Sequence, residues 1–94
     1  MQFQHKDNGQ QGEFFTLNDA GQRIAEISYV WRNENTIVAN HTWVDDCLRG
    51  QGVARKLLDV LVEFSRQKRL KIVPTCSYVD VMFKRDQGFA DVAA

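Results

Sequence analysis

The sequence predicts a single α/β domain, spanning residues 1–94, with a mostly antiparallel sheet, a parallel strand–helix–strand crossover and a C-terminal helix. Three observations lead to this prediction. Ninety-four residues are enough for one domain with a modest core. The first half alternates apolar and polar residues between short turns, as antiparallel strands do. The second half places a helical repeat of apolar residues between two strand-like runs.

The N-terminal half predicts four strands. They are Phe3–His5, Glu13–Leu17, Arg23–Trp31 and Thr36–Val44. The Asn18–Gly21 connection has turn chemistry, because Asn, Asp and Gly tolerate the backbone angles that tight turns require. Short connections of this kind favour an antiparallel arrangement.

His41 is the first candidate for chemistry. The two-residue period of the fourth strand predicts one mainly apolar face, formed by Ile37, Ala39, His41 and Trp43. His41 is then open to two interpretations. It is either a hydrogen-bonded core histidine or a proton carrier beside a cleft, since imidazole titrates near neutral pH.

A glycine turn leads directly into the most regular element of the sequence. Gly50 and Gly52 flank Gln51, and an amphipathic helix is predicted from Gln51 to about Lys68. Free N–H groups and the positive end of the helix dipole would favour a phosphate at this point. The turn lacks the spacing and the Lys-Ser/Thr pair of the G-x-x-x-x-G-K-[ST] loop. It is not G-x-G-x-x-G either, since Arg55 stands in the place of the third glycine, and an ordinary turn is the alternative.

The charge is zero overall but unevenly distributed. Residues 1–48 carry three basic and seven acidic side chains, whereas residues 49–94 carry nine basic and five acidic ones. A balanced total argues against a general nucleic-acid binder. Arg49, Arg55 and Lys56 surround the glycine turn and fit a small polyanionic ligand there, while a solvated helix face is the simpler alternative.

The glycine turn also lies where open α/β sheets bind ligands. Leu70–Pro74 is a short apolar run, predicted as a strand parallel to Thr36–Val44. A second helix is predicted to open at Thr75–Asp80. The turn would then lie at the C-terminal end of the first of two parallel strands.

Other classes of site and location have little support. Cys47 and Cys76 are isolated and are expected to be free thiols, and no metal site is predicted. No apolar run approaches the ~20 residues of a membrane span, and the N-terminus lacks the apolar core of a signal peptide. We therefore expect a cytoplasmic protein with no membrane or nucleic-acid partner.

Three blocks of sequence, in order, resemble the GNAT superfamily of acyl-CoA N-acetyltransferases. Arg49–Ala54 matches its Q/R-x-x-G-x-G/A motif, and His41–Val44 and Ile72–Val79 flank it. The length is similar to that of very small GNAT-like proteins. The N-terminal strands match in pattern only.

The resemblance implies an acetyl-CoA site. The backbone from Gln51 to Ala54 would hold the pyrophosphate, and the pantetheine arm would lie between the two parallel strands. Arg49, Arg55 or Lys56 would bind the 3′-phosphate. The implied cofactor-binding residues are Trp43, Val44, Arg49, Gly50, Gln51, Gly52, Val53, Ala54, Arg55, Lys56, Pro74 and Cys76.

Cys76 and His41 are the implied catalytic residues. A cysteine at this place lies near the CoA sulfur in the small GNAT-like proteins, and a helix N-terminus favours thiolate. Cys76 could carry the acyl group as a thioester. Alternatively, an amine attacks directly with His41 or water as base, and Cys76 only shapes the cleft.

The leading functional prediction is an acetyl-CoA-dependent N-acetyltransferase. Its acceptor would be a primary amine: a protein lysine, a polyamine or a small molecule. The alternatives are a CoA-binding module without turnover and an interaction domain with a decayed site. Larger family members build their acceptor site from extra N-terminal helices, for which 94 residues leave no room. The oligomeric state is open, and a monomer is compatible with the sequence.

Overall fold

Five strands form one sheet in the order of the chain. The computed structural model describes all of residues 1–94. The strands are β1 (Gln4–Asp7), β2 (Gln11–Leu17), β3 (Arg23–Asn33), β4 (Thr36–Val44) and β5 (Lys71–Pro74). The first three pairings are antiparallel, and β4 pairs with β5 in parallel. This confirms the predicted mixed sheet with its crossover.

Two α-helices and two short 3-10 turns complete the fold. Helix α1 (Val53–Lys68) connects β4 to β5, and α2 (Ser77–Arg85) follows β5. The 3-10 turns lie at Asp46–Leu48 and Gln87–Phe89. Helix α1 begins two residues later than predicted, because Gly52 has a left-handed φ of 72° and acts as the N-cap. Neither helix is long and apolar enough to cross a membrane.

Both helices cover the same face of the sheet. The core cluster joins strand residues such as Ile27 and Ile37 to Leu57 and Leu61 of α1 and to Val79 of α2, all fully buried. Tyr78, Met82 and Phe83 of α2 also pack against this cluster, whereas Val81 is exposed. No helix packs on the other side of the sheet, which we call the open face.

A β-bulge in β4 changes which side chains reach each face. Ser28 pairs with His41 but Tyr29 pairs with Ala39, so Asn40 is an extra residue with no partner on β3. An extra residue reverses the alternation of the side chains that follow it. His41 and its alternate neighbour Trp43 therefore lie on the open face. The prediction that they share the apolar face of Ile37 and Ala39 was wrong, and His41 is not a core histidine.

Candidate active site

The parallel strands β4 and β5 separate at the bulge. Their pairing ends where Ala39 lies opposite Pro74, the last residue of β5. The Ala39 carbonyl accepts hydrogen bonds from the N–H groups of Thr75 (3.1 Å) and Cys76 (2.9 Å), which close the bottom of the opening. Beyond this point β4 continues to Val44 without a neighbour on that side. The result is a notch between the end of β4 and the start of α2.

The glycine turn lies beside this notch and requires its two glycines. Gly50 and Gly52 have φ values of 81° and 72°, in the left-handed region that side chains rarely adopt. A Cβ atom built on either residue would meet no other atom within 4 Å. A ligand can therefore approach the backbone of the turn from the side on which a Cβ atom of residue 50 or 52 would lie.

Four consecutive N–H groups at the start of α1 have no hydrogen-bond acceptor. They belong to Gly52, Val53, Ala54 and Arg55, and the first backbone bond of the helix runs from the Lys56 N–H to the Gly52 carbonyl (3.2 Å). The first turn contains no acidic side chain that would offset the helix dipole. Unpaired donors at the positive end of a 16-residue helix form a binding site for an anion.

A cavity of about 290 Å³ connects the turn to the notch. Its walls come from the end of β4, the glycine turn, the first turn of α1 and one side chain of α2. The lining residues are Val44, Leu48, Arg49, Gly50, Gly52, Val53, Ala54, Arg55 and Tyr78. Larger cavities lie near the N-terminus and on the open face, but only this one contains the free donors. Leu48 and Tyr78 were missed from the sequence, and only the packing of α2 brings Tyr78 here.

The three basic residues of the turn differ in how their charge is used. Arg49 forms an exposed ion pair with Asp46 (2.8 Å). Arg55 is held by two carboxylates, one on α1 and one after α2, at 3.0 and 3.4 Å. Lys56 makes no ion pair. Its ammonium is therefore the most available of the three for a ligand.

Cys76 lies on the helix-covered side of the notch. It is half-buried, it is the N-cap residue of α2, and its thiol donates a hydrogen bond to the Thr42 hydroxyl at 3.4 Å. Thr42 is opposite the buried Ile27, which fixes this side as the covered one. Cys76 is thus at the predicted position between a strand end and a helix start.

His41 lies on the other side of the same notch and has a carboxylate partner. Its side chain is 52% exposed, and its Nε2 atom is 3.3 Å from Oε2 of Glu26. Glu26 also accepts a hydrogen bond from Arg23. Glu26 could not be selected from the sequence, because its pairing with His41 depends on the bulge. The structure brings Cys76 and His41 to one notch but on opposite faces of the sheet.

The other predicted site residues contribute only their backbone to the notch or lie at its border. Trp43 points to the open face with 39% exposure, so only its backbone borders the notch. Gln51 is exposed, and Pro74 ends β5. Cys47 is exposed, and the hydrogen bond with Asp45 raises the pKa of its thiol, which disfavours thiolate. No group of His, Cys, Asp or Glu side chains converges as a metal site.

These features define a protein with a helix start rich in free N–H donors at the end of a parallel strand pair. The profile of the GCN5-related N-acetyl-transferase family matches residues 13–92. The chain therefore belongs to this family, whose cofactor is acetyl-CoA.

Individual relatives agree with this assignment. The chain is 31% identical over 70 residues to Protein NATD1 of Xenopus tropicalis, a match that covers 74% of this chain and 63% of that protein. A GCN5-like protein from Staphylococcus aureus is 34% identical, with a TM-score of 0.79 over 99% of this chain and 87% of its own. The N-acetyltransferase YhbS of Escherichia coli, solved in complex with CoA, shares the fold (TM-score 0.59, 20% identity, covering 67% and 38%).

Proposed function

We propose that this protein is an acetyl-CoA-dependent N-acetyltransferase that holds the cofactor pyrophosphate at the start of α1. The four unpartnered N–H groups of Gly52–Arg55 carry this proposal. They are consecutive, they lie at the positive end of a long helix, and they face a cavity that glycines keep open. Two linked phosphates need several convergent donors, which this turn supplies from backbone alone.

Lys56 is proposed as the main partner of the 3′-phosphate. It is the only one of the three basic residues near the turn that makes no ion pair. Arg49 can assist, because its pair with Asp46 is exposed on both sides and costs little to break. Arg55 is already engaged by two carboxylates and serves to connect α1 to the segment after α2.

The notch between β4 and β5 is proposed to take the pantetheine arm. On one side, Trp43 and Val44 pair with β3 but have no strand partner at the edge that faces the notch. On the other, Val73 and Pro74 end β5. Free backbone groups of a strand edge can bond the amide groups of such an arm as another strand would.

Direct attack by an amine, with His41 as base, fits the geometry best. Acetyl-CoA, when bound, supplies the thioester carbonyl that the amine attacks. The acceptor arrives as an ammonium and must lose two protons: one before the C–N bond forms, the other to the leaving thiolate. His41 can take the first proton and release it to solvent. Glu26 orients the ring through the 3.3 Å contact between its Oε2 and Nε2 of His41.

A thioester on Cys76 is the second route, and it has less support. The thiol donates to the Thr42 hydroxyl, a neutral group that does not take its proton. The open side of the notch, where an acceptor can approach, carries His41 instead. We propose that Cys76 instead shapes the covered side of the notch, where it contacts Thr42.

The binding proposal is tested by Gly52→Val compared with Gly21→Val. Both glycines have left-handed φ values (72° and 81°) and open space around a new Cβ, so both variants cost similar backbone strain. Only Gly52→Val places a side chain over the free N–H groups. Titration calorimetry should show at least a tenfold loss of acetyl-CoA affinity in that variant alone.

Gly52→Ala, which is milder, provides the same comparison if the valine variants unfold. Equal acetyl-CoA affinity in the Gly52 and Gly21 variants would rule out this phosphate site. Failure of the unaltered protein to bind acetyl-CoA would remove the enzyme proposal altogether.

The catalytic assignment is tested by His41→Gln, Glu26→Gln and Cys76→Ser, using any amine that supports thiol release from acetyl-CoA. His41→Gln should lower kcat by 10²-fold or more, while Cys76→Ser should change it less than tenfold. Glu26→Gln should lower kcat less than His41→Gln does, because it removes only the carboxylate that orients the ring.

An unchanged kcat in Glu26→Gln would rule out this orienting role. Loss of activity in Cys76→Ser, together with an acetyl adduct on unaltered Cys76 by intact mass, would favour the thioester route. Binding without any turnover would favour a CoA-binding module.

A further inference from the structure

A row of polar side chains crosses the open face and ends at the notch. The pairing register places Lys6, Glu13, Ser28 and His41 opposite one another on β1 to β4. The bulge residue Asn40 extends this row, since its Oδ1 accepts a hydrogen bond from the Ser28 hydroxyl at 2.8 Å. The row therefore leads from the edge of the sheet to the place where the proposed base lies.

A trough of about 480 Å³ follows this row. Its walls are mainly polar, and the polar side chains along it are Lys6, Asp7, Asn8, Gln11, Glu13, Ser28 and Asn40. This volume falls within the range of small-molecule sites, but amide and hydroxyl groups take the place of the usual apolar lining. Such walls suit a ligand that carries hydrogen-bonding groups along its length.

The charged side chains of the trough differ in how far contacts within the protein leave them free to bind a ligand. Glu13 is engaged by the Arg23 guanidinium. Asp7 accepts hydrogen bonds from the Tyr29 hydroxyl (2.6 Å) and the Trp31 indole (3.0 Å). Lys6, in contrast, makes no ion pair, and its Nζ lies 5.4 Å from the centre of the Phe15 ring. Asp7 keeps its negative charge, because all its donors are neutral, but its oxygens are occupied by them. Lys6 is therefore the charged side chain at the outer end of the trough that remains free to donate to an anionic group.

We infer that this trough binds the acceptor of the transferase, and that the acceptor is a short primary amine with hydroxyl or amide groups and an anionic group at its far end. The amine would lie near His41 and the anion near Lys6. These residues are three strand spacings apart, about 14 Å between backbones, and their side chains shorten that span. The inference rests on the proposed transferase activity and adds the class of its acceptor.

The tripeptide Ser-Ser-Ser is the first probe, because three extended residues span about 10 Å. Its C-terminal amide is the matched neutral probe, and spermidine is the polycationic one. Each is titrated into the CoA-loaded protein while backbone amide resonances are followed by NMR. The tripeptide should shift Lys6, Glu13, Ser28 and Asn40 and bind at least fivefold more tightly than its amide.

Two variants assign the effect to Lys6. Lys6→Gln should weaken binding of the tripeptide at least fivefold and leave the affinity for its amide unchanged. Lys84→Gln is the matched control, since Lys84 lies on α2 and is exposed there. Lys84→Gln should change the affinity for neither probe.

The outcomes separate this inference from the proposed function. Shifts of Gly50–Ala54 on adding CoA report the cofactor site independently of the trough. If those shifts occur but no probe moves the trough resonances, the inference is overturned while the cofactor site stands. Equal binding of tripeptide and amide, or tighter binding of spermidine at the trough, would also overturn it.

Discussion

Gly12 illustrates how one residue can decide the packing of its surroundings. A Cβ atom at this position would lie 2.3 Å from the hydroxyl oxygen of Tyr29 and 2.9 Å from the Lys6 carbonyl. Tyr29 cannot move aside, because it is fully buried and its hydroxyl bonds both His5 and Asp7. Glycine is needed here for space and not for its backbone angles.

Gly12→Ala should therefore destabilise the protein by about 2–3 kcal/mol, the cost of overpacking a tight site. Gly9→Ala is the matched control, since Gly9 has φ 88° and open space around it; strain alone should cost about 1 kcal/mol. Urea unfolding measures both free energies. A smaller cost for Gly12→Ala than for Gly9→Ala would contradict this account.

The elements differ in how their side chains hold them. Strand β1 is an exposed edge strand, and its two inward residues attach it to the core. His5 stacks on Phe14 at 4.1 Å between ring centres, and its Nε2 atom is 2.8 Å from the Tyr29 hydroxyl. Asp7 accepts hydrogen bonds from Tyr29 and Trp31. The strand is thus joined to the domain by titratable groups.

Stability should fall with acid because of this attachment. Burial lowers the pKa of His5, an effect that Lys68 reinforces and Asp7 opposes. A lowered histidine pKa means that the folded state binds fewer protons than the unfolded one. The contribution is complete above the ordinary value of 6.5 and is lost as the pH falls through the folded pKa.

Urea unfolding at pH 7.5 and 5.5 tests this expectation. The unaltered protein should lose more stability over this interval than His5→Gln, which cannot take up the proton. The same loss in both proteins would place the pH dependence elsewhere. Asp7 acts only at lower pH: although burial raises its pKa, the stronger hydrogen bonds lower it overall, below 3.8.

At the scale of the whole molecule, the charge is divided along the chain. The half that contains the glycine turn carries nine basic and five acidic side chains, and the preceding half carries the acidic excess. A polyanionic cofactor would therefore be attracted to the second half. This attraction acts partly through solvent and is screened by salt.

Acetyl-CoA affinity should accordingly decrease as NaCl rises from 50 to 300 mM, and dephospho-CoA should respond less. Lys56→Gln should weaken acetyl-CoA at least threefold at low salt and reduce the salt dependence. Lys84→Gln, which removes the same charge away from the cavity, should change neither. Titration calorimetry at several salt concentrations provides these affinities. An equal effect of both variants would mean that Lys56 acts only through the overall charge of the protein and not by contacting the cofactor.

The regular elements were predictable because each has a local cause. The bounds of β4 were predicted without error, and α1 differed only at its start. Apolar periodicity defines both, and it is a property of neighbouring residues. The glycine turn was predictable for the same reason, since two closely spaced glycines indicate a turn with left-handed backbone angles, as Gly50 and Gly52 have.

The sequence by itself determined the fold class, the glycine turn and the family. Only the tertiary structure decided which groups face one another. The bulge at Asn40 reverses the faces of His41 and Trp43, and no propensity of these residues marks it. The Glu26–His41 pair, the contribution of Tyr78 to the cavity and the polar row across the open face all depend on strand register and helix packing. Periodicity predicts which residues alternate, but register depends on contacts between residues distant in the chain.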